Sequence, residues 1–363
     1  MPQTRRSKCS VASYTDTRVQ ALRVIVDGRP LVGSRTGIGV HTAEIVRRLP
    51  FDPPPLIASH AEIENRNGIE QCRFDVRKFT WGVTWQQIAL PRIEGDVLWG
   101  PHGTLPMALR IPAVASLHDF TSITMPTRHK IKTVLSFNLF IGRSLEIAHR
   151  IAAVSRAVAD EAIRGFAVPA WKIELVPNGV DEFFSPGSGS GDEGDYVLFV
   201  GTLEPRKGID DLLEVWESLP WPRPRLVLCG DEGWKTRVRA RLDVEVIGFV
   251  TRERLRELYR GARAFVYPSR YEGFGLPPLE AMACGAPVIA TRTGAIPEYA
   301  AGSALLVTPG DRLQLRNALI KLLGDPELRR DLRLAGPPRA ALYRWDSSAA
   351  TMAELLREAA RCA

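Results

Sequence analysis

A short stretch that lacks large apolar residues divides the sequence into two parts. Residues 185–195 read SPGSGSGDEGD and contain four glycines, three serines and two aspartates. Such a segment has nothing to bury and is typical of a flexible connector between domains. The chain of 363 residues is also long enough for two domains. The sequence therefore predicts two folded units, one on each side of this connector.

The part before the connector alternates between short apolar runs and longer helical patterns. The predicted strands are Ala21–Asp27, Leu56–Ser59, Asp96–Trp99, Val114–Leu117 and Ile151–Val154. The predicted helices are Val40–Leu49, Arg128–His149 and Arg156–Phe166. Strands that alternate with helices in this way form a parallel sheet that is covered on both faces.

The same alternation starts again after the connector. The predicted strands are Tyr196–Val200, Leu226–Cys229, Val244–Ile247, Ala264–Tyr267, Val288–Ala290 and Ala304–Val307. The predicted helices are Ile209–Leu219, Arg252–Gly261, Leu279–Cys284, Leu313–Leu323 and, last, Ser347–Arg361. Two such α/β units predict a cleft between them, with ligands bound at the C-terminal ends of the strands.

Composition and charge exclude several other classes of protein. Hydrophobic residues make up 45% and charged residues 25% of the chain, which is ordinary for a globular protein. We see no apolar run of the roughly 18–20 residues that a membrane-spanning helix needs, and no signal peptide. The five cysteines lie far apart without a C-x-x-C pair, which favours a reducing cytoplasm. The net charge of +7 suits anionic lipid or phosphorylated small molecules.

The segment Tyr271–Pro287 reads YEGFGLPPLEAMACGAP and predicts a helix with two prolines in its first turn. Glycines before the helix let the backbone approach a ligand, and the amides at its start suit a phosphate. Glu272 precedes this turn and Glu280 lies just inside the helix, so both carboxylates are candidates for one pocket. The alternative is that Glu280 only favours the helix dipole and that Glu272 is solvated. The candidate amides belong to Phe274, Gly275 and Leu276.

The segment Gly201–Gly208 reads GTLEPRKG and follows the first strand of the second unit. It lacks the order of a P-loop. Arg206 and Lys207 nevertheless stand at a strand's C-terminal end, where two cations can neutralise a diphosphate leaving group. The alternative is that both are solvated loop charges. Gly230, in GDEG at the end of the next strand, is either a cleft-facing residue or part of an ordinary turn.

The first unit offers weaker candidates. Gly39 lies at the start of a predicted helix and could admit a phosphate, although a lone G-x-G is a weak signal. His118 closes a predicted strand and is a candidate donor to a sugar hydroxyl or phosphate, with a structural histidine as the alternative. Ser155 and the pair Asp210-Asp211 are interpreted as helix caps. The pattern indicates no dedicated metal site.

Four motifs occur in a characteristic order. They read VPNGVD (176–181), FVGTLEPRKG (199–208), LCGDEG (228–233) and YPSRYEGFGLPPLEAMACGAPVI (267–289). This set resembles the GT4-type, or group 1, retaining glycosyltransferases, and Glu272 and Glu280 match the family's E-x7-E pattern. The resemblance covers nearly all of residues 196–345 and is looser over residues 21–180.

The resemblance implies a GT-B fold, in which two doubly wound Rossmann-like α/β domains face a central cleft. It implies domains at residues 1–184 and 196–345, a linker at 185–195, and a C-terminal helix within 346–363 that crosses back to the first domain. It also implies transfer of a sugar from a nucleotide-sugar to an acceptor hydroxyl, with retained anomeric configuration and without a cofactor or an essential metal.

The same resemblance implies a role for each candidate residue. Arg206 and Lys207 would hold the diphosphate, and Glu280 would bind the ribose hydroxyls. Glu272 would face the donor sugar, and His118 would contact that sugar near the reacting carbon. The backbone groups that would bind phosphate or sugar are those of Gly39, Gly230, Phe274, Gly275 and Leu276.

Donor and partners follow less directly from the sequence. The segments DGRPL, TGIGVHT and HDF look similar to bacterial mannosyltransferases of surface polysaccharide pathways, so GDP-mannose is the first expectation. UDP-sugars stay open, because base selection usually rests on backbone contacts, here near Gly248–Arg252. Two further alternatives are another enzyme on this scaffold, such as a sugar-nucleotide epimerase or a phosphorylase, and a non-catalytic sugar-nucleotide binder.

The acceptor, a glycan or a lipid-linked sugar, is expected to bind to the first domain. The predicted helix over Arg128–Arg143 mixes basic and large apolar residues and could rest on an anionic membrane. The alternative is a core helix with a solvated basic side. We therefore expect a cytoplasmic protein, peripheral to the inner face of the membrane if this helix binds lipid, and no nucleic-acid partner.

Overall fold

The computed structural model describes residues 22–33, 36–125, 131–187, 194–231 and 242–362. Its first sheet has seven parallel strands in the order β3-β2-β1-β4-β5-β6-β7. The strands are β1 Val24–Asp27, β2 Leu56–Ser59, β3 Arg73–Val76, β4 Val97–Gly100, β5 Ala113–Leu117, β6 Arg150–Ala153 and β7 Ile173–Leu175. The central strands are buried along their whole length because helices cover both faces.

Within the described residues, five α-helices lie between these strands. They are α1 Gly37–Val46, α2 Gly82–Ile88, α3 Thr121–Thr124, α4 Ile131–Ile147 and α5 Arg156–Phe166. The α5 helix begins where Ser155 caps it, since the Ser155 hydroxyl accepts a hydrogen bond from the Val158 amide. The predicted cap at Ser155 is therefore confirmed.

The second sheet has six parallel strands in the order β10-β9-β8-β11-β12-β13. They are β8 Tyr196–Val200, β9 Arg225–Cys229, β10 Val244–Gly248, β11 Ala264–Tyr267, β12 Val288–Thr291 and β13 Leu305–Val307. The helices that follow are α6 Ile209–Glu217, α7 Arg252–Gly261, α8 Leu276–Ala283, α9 Ile296–Ala300, α10 Arg312–Gly324, α11 Pro326–Ala340 and α12 Trp345–Arg361. The prediction of two doubly wound parallel sheets is confirmed.

In both sheets the strand order reverses at one point, between β1 and β4 in the first and between β8 and β11 in the second. Loops that leave the strands on either side of such a point diverge, and the gap between them is where open α/β sheets bind ligands. The carboxyl ends of the two sheets meet: the Tyr271 hydroxyl, from the loop after β11, accepts from the Phe120 amide, after β5, at 3.2 Å.

The last helix, α12, returns to the first sheet. It packs against α1, β4, β5 and β6 and buries Trp345, Met352 and Leu356 there. Arg48 at the end of α1 pairs with Asp346 at 3.0 Å. The hydrophobic core between α12, α1 and the first sheet therefore contains residues from both ends of the described chain.

Some elements differ from the sequence prediction. The strands β3 and β7 and the helices α2, α3, α9 and α11 were not predicted; β3 reads RFDV and has no continuous apolar run, and α11 contains Pro337 and Pro338. The α1 helix begins at Gly37 rather than Val40, and α8 begins at Leu276 rather than Leu279. Residues 188–193 of the predicted connector and residues 128–130 of the predicted basic helix lie outside the described residues.

Candidate active site

Lys207 lies in a tight turn after β8 that is pressed against the loop after β11. The turn ends at Gly208, whose φ of +71° is left-handed and whose added Cβ would overlap the Pro268 carbonyl oxygen. This close approach brings the Lys207 ammonium to 2.6 Å from the Glu272 carboxylate and 2.8 Å from the Tyr267 hydroxyl. Two of the three N–H groups of Lys207 are thereby used, and one is left for a ligand.

Glu272 is 9% exposed and sits among hydrogen-bond donors. Its Oε1 accepts from Ser269 Oγ at 2.6 Å and from the Tyr267 hydroxyl at 3.0 Å, besides Lys207. Burial pushes the pKa of Glu272 up, but the charges of Lys207 and Arg206 outweigh burial and hold that pKa below its ordinary value. The carboxylate is therefore ionised at neutral pH, and the alternative that it is solvated is wrong.

Arg206 completes this cluster. Its Nη1 lies 3.8 Å from Glu272 Oε1 and donates to the Tyr271 carbonyl at 3.4 Å, while Nη2 lies 3.6 Å from Glu204. The Arg206 Nε is buried and has no hydrogen-bond partner within the described residues. Arg206 and Lys207 are thus largely buried, so the alternative that they are solvated loop charges is also wrong.

The α8 helix begins at Leu276, four residues after Glu272. Gly275 caps it with a φ of +83°, and Leu276, Pro277 and Pro278 form its first turn. Within the described part of the chain, the amides of Phe274, Gly275 and Leu276 donate to no partner, as expected of the first amides of a helix. Such amides, next to two cations, form an anion-binding site.

Glu280 lies one turn into α8 and has different surroundings from Glu272. It is half-buried, and its Oε2 accepts a hydrogen bond from the Tyr259 hydroxyl of α7 at 3.0 Å. Burial raises the pKa of Glu280 to about 7, and the Tyr259 hydrogen bond only partly opposes this effect. The two carboxylates of the E-x7-E pattern therefore differ: Glu272 is ionised, and Glu280 titrates near neutrality.

Gly230 has a structural reason to be glycine. Its φ is +136°, and an added Cβ would overlap the carbonyl oxygen of Gly201, which directly follows β8. The ends of β8 and β9 therefore approach each other more closely than any side chain allows. This packing gives Gly230 a structural role, a contact between Gly230 and a ligand stays a prediction, and residues 232–233 of GDEG lie outside the described residues.

The first domain brings His118 to this site. His118 follows β5, is half-buried, and places Nε2 2.9 Å from the Pro101 carbonyl oxygen, so Nε2–H donates there. Burial lowers the pKa of His118 to about 4, so its imidazole is neutral at pH 7. An added Cβ on Gly273 would overlap the His118 carbonyl oxygen, which shows that the loops of His118 and Glu272 touch across the cleft.

Gly39 lies in the first turn of α1 and is buried. His41, on the next turn of the same helix, places its ring 4.6 Å from the ring of His118 at a right angle. The structure therefore brings the loops of His118 and Glu272 together, next to the start of α8, and the ligand contacts of Gly39, His118 and the α8 amides stay predictions.

The sequence did not identify several residues that build the site. Tyr267 and Ser269 both donate to Glu272, and their position directly after the β11 run was the available signal. Asp211 was interpreted as a cap, but Gly208 caps α6 and Asp211 is buried. Asp211 instead receives two hydrogen bonds of 2.9 Å from Arg270, which fixes the loop between Tyr267 and Glu272.

Two further observations bear on metal and membrane. Within the described residues, no three histidine, cysteine, aspartate or glutamate side chains cluster so as to hold a metal ion. None of the described helices combines the length and the apolar character that crossing a bilayer requires.

Comparison with known proteins defines the family. The model of "Glycosyltransferase Family 4" matches residues 79–182, and that of "Glycosyl transferases group 1" matches residues 180–338, so that together they span well over half of the chain. The chain therefore belongs to the group 1 glycosyltransferases and is a hexosyltransferase.

The relatives and the solved structures agree with this assignment. O-antigen chain mannosyltransferase B of Escherichia coli is 29% identical, over 90% of this chain and 97% of its own length. A D-inositol 3-phosphate glycosyltransferase of Corynebacterium jeikeium is 34% identical over 55% of each chain. The mannosyltransferase WbdA of E. coli is 28% identical over 56% of this chain, which spans only 28% of WbdA.

Solved structures share the fold at low identity. Sucrose-phosphate synthase of Thermosynechococcus elongatus superposes with a TM-score of 0.74 at 21% identity, over 94% of this chain and all of that one. HepE of Anabaena, solved with UDP-glucose, gives a TM-score of 0.74 at 20% identity over 93% of this chain and all of HepE. The fold is GT-B.

Proposed function

We propose that this glycosyltransferase moves mannose from GDP-mannose to a hydroxyl of a glycan or lipid-linked acceptor, with retention of anomeric configuration. The observation that carries the proposal is the buried cluster of Arg206, Lys207 and Glu272 beside the free amides that start α8. Two cations and a helix N-terminus suit the diphosphate of a nucleotide-sugar. The mannosyl group is inferred from the relative that matches over nearly its full length, whose name specifies mannose.

The proposed reaction exchanges one bond at the anomeric carbon for another. The bond from this carbon to the diphosphate oxygen breaks, a bond to the acceptor oxygen forms, and the hydroxyl proton leaves with the diphosphate. Negative charge grows on the diphosphate, where Arg206 and the remaining N–H of Lys207 would stabilise it in a largely buried site. The ionised Glu272 would favour positive charge on the sugar ring. No step in this scheme uses a metal or a cofactor.

A UDP-sugar is the second candidate donor, because HepE, which shares the fold, was solved with UDP-glucose. The base would lie near Gly248–Arg252, where Gly248 has a φ of +65° and its carbonyl accepts from the Gly230 amide. An epimerase or a non-catalytic binder would keep the nucleotide site and lack transfer. Transfer and binding must therefore be measured separately.

A thermal-shift panel of GDP-mannose, UDP-glucose, UDP-N-acetylglucosamine, ADP-glucose and the free nucleotides tests the donor. A ligand at a hundredfold excess over its Kd stabilises the fold by about 2.7 kcal/mol. We expect a shift with GDP and GDP-mannose alone. A shift with uridine nucleotides alone would replace the donor but keep the transferase, and no shift in folded protein would contradict the proposal. Transfer with and without EDTA, followed by NMR of the product's anomeric proton, tests metal independence and retention.

We further propose that α4 contacts an anionic membrane at the cytoplasmic face. Leu135 and Leu139 lie one turn apart on α4 and are 63% and 70% exposed, next to the exposed Arg143. The double variant Leu135→Asn and Leu139→Asn should reduce co-sedimentation with phosphatidylglycerol vesicles. Leu313→Asn with Leu342→Asn, at positions of similar exposure elsewhere, is the matched control. Equal sedimentation of both double variants would reject this surface.

A further inference from the structure

Polar residues follow four neighbouring strands of the first sheet at its carboxyl edge. Arg29 follows β1, His60 follows β2, His102 follows β4 and His118 follows β5. These strands are adjacent in the order β2-β1-β4-β5. Their registers place the four carboxyl ends at about the same level along the strand direction. We call these four residues the imidazole edge. At about 4.8 Å between strands, the edge extends about 14 Å, which exceeds the length of one sugar ring.

Arg29 is fixed in the middle of this edge. Its Nε donates to both oxygens of the fully buried Asp27 at 2.9 and 3.0 Å, and its Nη2 donates to Thr104 Oγ1 at 3.2 Å. Gln86 donates to the same carboxylate at 3.2 Å and to the Thr104 carbonyl at 2.7 Å. The charge of Arg29 is therefore neutralised by Asp27, and its guanidinium is held rigidly.

The histidines of the imidazole edge are neutral. Burial, with the nearby charge of Arg29, lowers the pKa of His102 to about 4 and also lowers the pKa of His60. Burial lowers the pKa of His118 to about 4. A neutral imidazole has one N–H donor and one acceptor nitrogen, and His118 uses its N–H on the Pro101 carbonyl, so its other nitrogen is left to accept from a hydroxyl group. A phosphate offers mainly acceptor oxygens and is better matched by unpaired cations.

One of these imidazole nitrogens lacks a partner. His60 Nδ1 is buried and makes no hydrogen bond within the described residues. A buried polar atom of this kind costs free energy unless a ligand or water satisfies it.

An exposed tryptophan stands at the outer end of the imidazole edge. Trp81 is 68% exposed and immediately precedes Gly82. The Gly82 backbone packs against two adjacent residues of the edge, since an added Cβ would be 3.2 Å from His60 Cε1 and 3.3 Å from Arg29 Cδ. An exposed indole face with hydrogen-bonding groups beside it suits a sugar ring, which has apolar C–H faces and a rim of hydroxyls.

We infer that the imidazole edge and Trp81 bind the acceptor as a neutral oligosaccharide, with the reacting hydroxyl at His118 and the preceding sugars extending towards Trp81. This inference rests on the proposed function, because it takes His118 to mark the donor's reacting carbon. It assigns an uncharged chain of at least two sugars as the acceptor class, in preference to a small phosphorylated acceptor.

Binding of neutral and phosphorylated probes to the full chain tests the inference. Calorimetric titration would use an α-linked mannotriose, maltotriose, mannose and D-inositol 3-phosphate, each with saturating GDP present. We expect at least one triose to bind about tenfold or more tightly than mannose, and inositol phosphate to bind weakly. Trp81→Ala and, separately, His60→Ala should weaken triose binding about tenfold while the thermal shift caused by GDP-mannose is retained.

Trp171→Ala is the matched control. Trp171 is also 68% exposed, but it precedes β7 and therefore lies at the opposite edge of the same sheet. Triose binding in this variant should equal that of the wild type. Tighter binding of inositol phosphate than of the trioses, equal losses in the Trp81 and Trp171 variants, or no triose binding in protein that binds a nucleotide would each overturn the acceptor assignment. Loss of all nucleotide binding in the wild type would instead contradict the proposed function itself.

Discussion

The carboxyl edges of the two sheets differ in charge: one is built from ionised side chains and the other mainly from neutral groups. In the second domain the site consists of ionised side chains, and Glu272 receives hydrogen bonds or ion pairs from Lys207, Arg206 and Ser269. In the first domain the corresponding edge consists of neutral imidazoles around an arginine whose charge is already paired. The difference follows the two halves of a transfer reaction, because one substrate carries a diphosphate and the other offers hydroxyls.

The strongest test of this comparison removes the charge on the second edge. Lys207→Ala deletes a cation at the proposed diphosphate and leaves Glu272 buried without its nearest partner. We expect transfer to fall about 100- to 1,000-fold, as for loss of one group that stabilises developing charge. The measurement is kcat of the purified variant with its thermal midpoint.

Lys321→Ala, at an exposed position on α10, is the control and should keep the wild-type rate. A folded Lys207→Ala protein with nearly normal kcat would show that the charged residues of this edge are not needed for transfer.

A second test separates the two edges. Gly273→Ala would force a Cβ into the His118 carbonyl oxygen, and the loops could accept it only by moving apart. We expect transfer to fall about 100-fold, since a displacement near 1 Å between reacting groups has that effect, while each domain stays folded. The measurement is the transfer rate together with far-UV circular dichroism.

Gly165→Ala, in α5, provides the comparison, because its added Cβ meets nothing within 4 Å. Equal activity of the two alanine variants would mean that contact between the edges is not needed for transfer.

The third and smallest effect concerns pH. The pKa of Glu280 is about 7, so the carboxylate proposed to bind ribose hydroxyls ionises as the pH rises from about 6 to 8. Donor affinity should increase severalfold over this range and should be flat in Glu280→Gln. His102 and His118, with pKa values of about 4, do not change charge in this range. The pH dependence of donor affinity therefore reflects the second domain's edge.

Stability should move in the opposite direction to affinity. A pKa raised by folding means that the folded protein binds the proton more tightly than the unfolded chain. The free energy of unfolding therefore falls as the pH rises from about 4.3 to about 7, and Glu280→Gln should reduce this fall. Urea unfolding at several pH values measures it, and identical pH profiles for wild type and variant would contradict the assigned pKa.

The sequence predicted the elements whose pattern is local and missed those decided by distant contacts. β8, β11 and α5 have the predicted bounds because each is a continuous apolar or amphipathic run between clear ends. β3 carries two charged residues and is only partly buried, and it is a strand because its backbone pairs with β2. α11 was not predicted, and it continues through Pro337 and Pro338 to Ala340.

The same distinction holds for the site. The motif around Glu272 and Glu280 was recognised from local spacing, and so was the helix start between them. The ion pair between Lys207 and Glu272 joins residues 65 positions apart and followed only from the fold. Asp211 resembled a cap in the sequence because acidic residues are common in a first turn, but the partner that decides its role, Arg270, lies after β11.

The crossing helix α12 has a consequence for the order in which the chain folds during synthesis. Seven of its residues complete the core of the first domain: Trp345, Ala349, Met352, Ala353, Leu355, Leu356 and Ala359. These residues are translated after every strand of both sheets. Domains usually fold in the order in which they emerge from the ribosome. Here the domain that is made second can close its core first, and the domain that is made first must wait for α12.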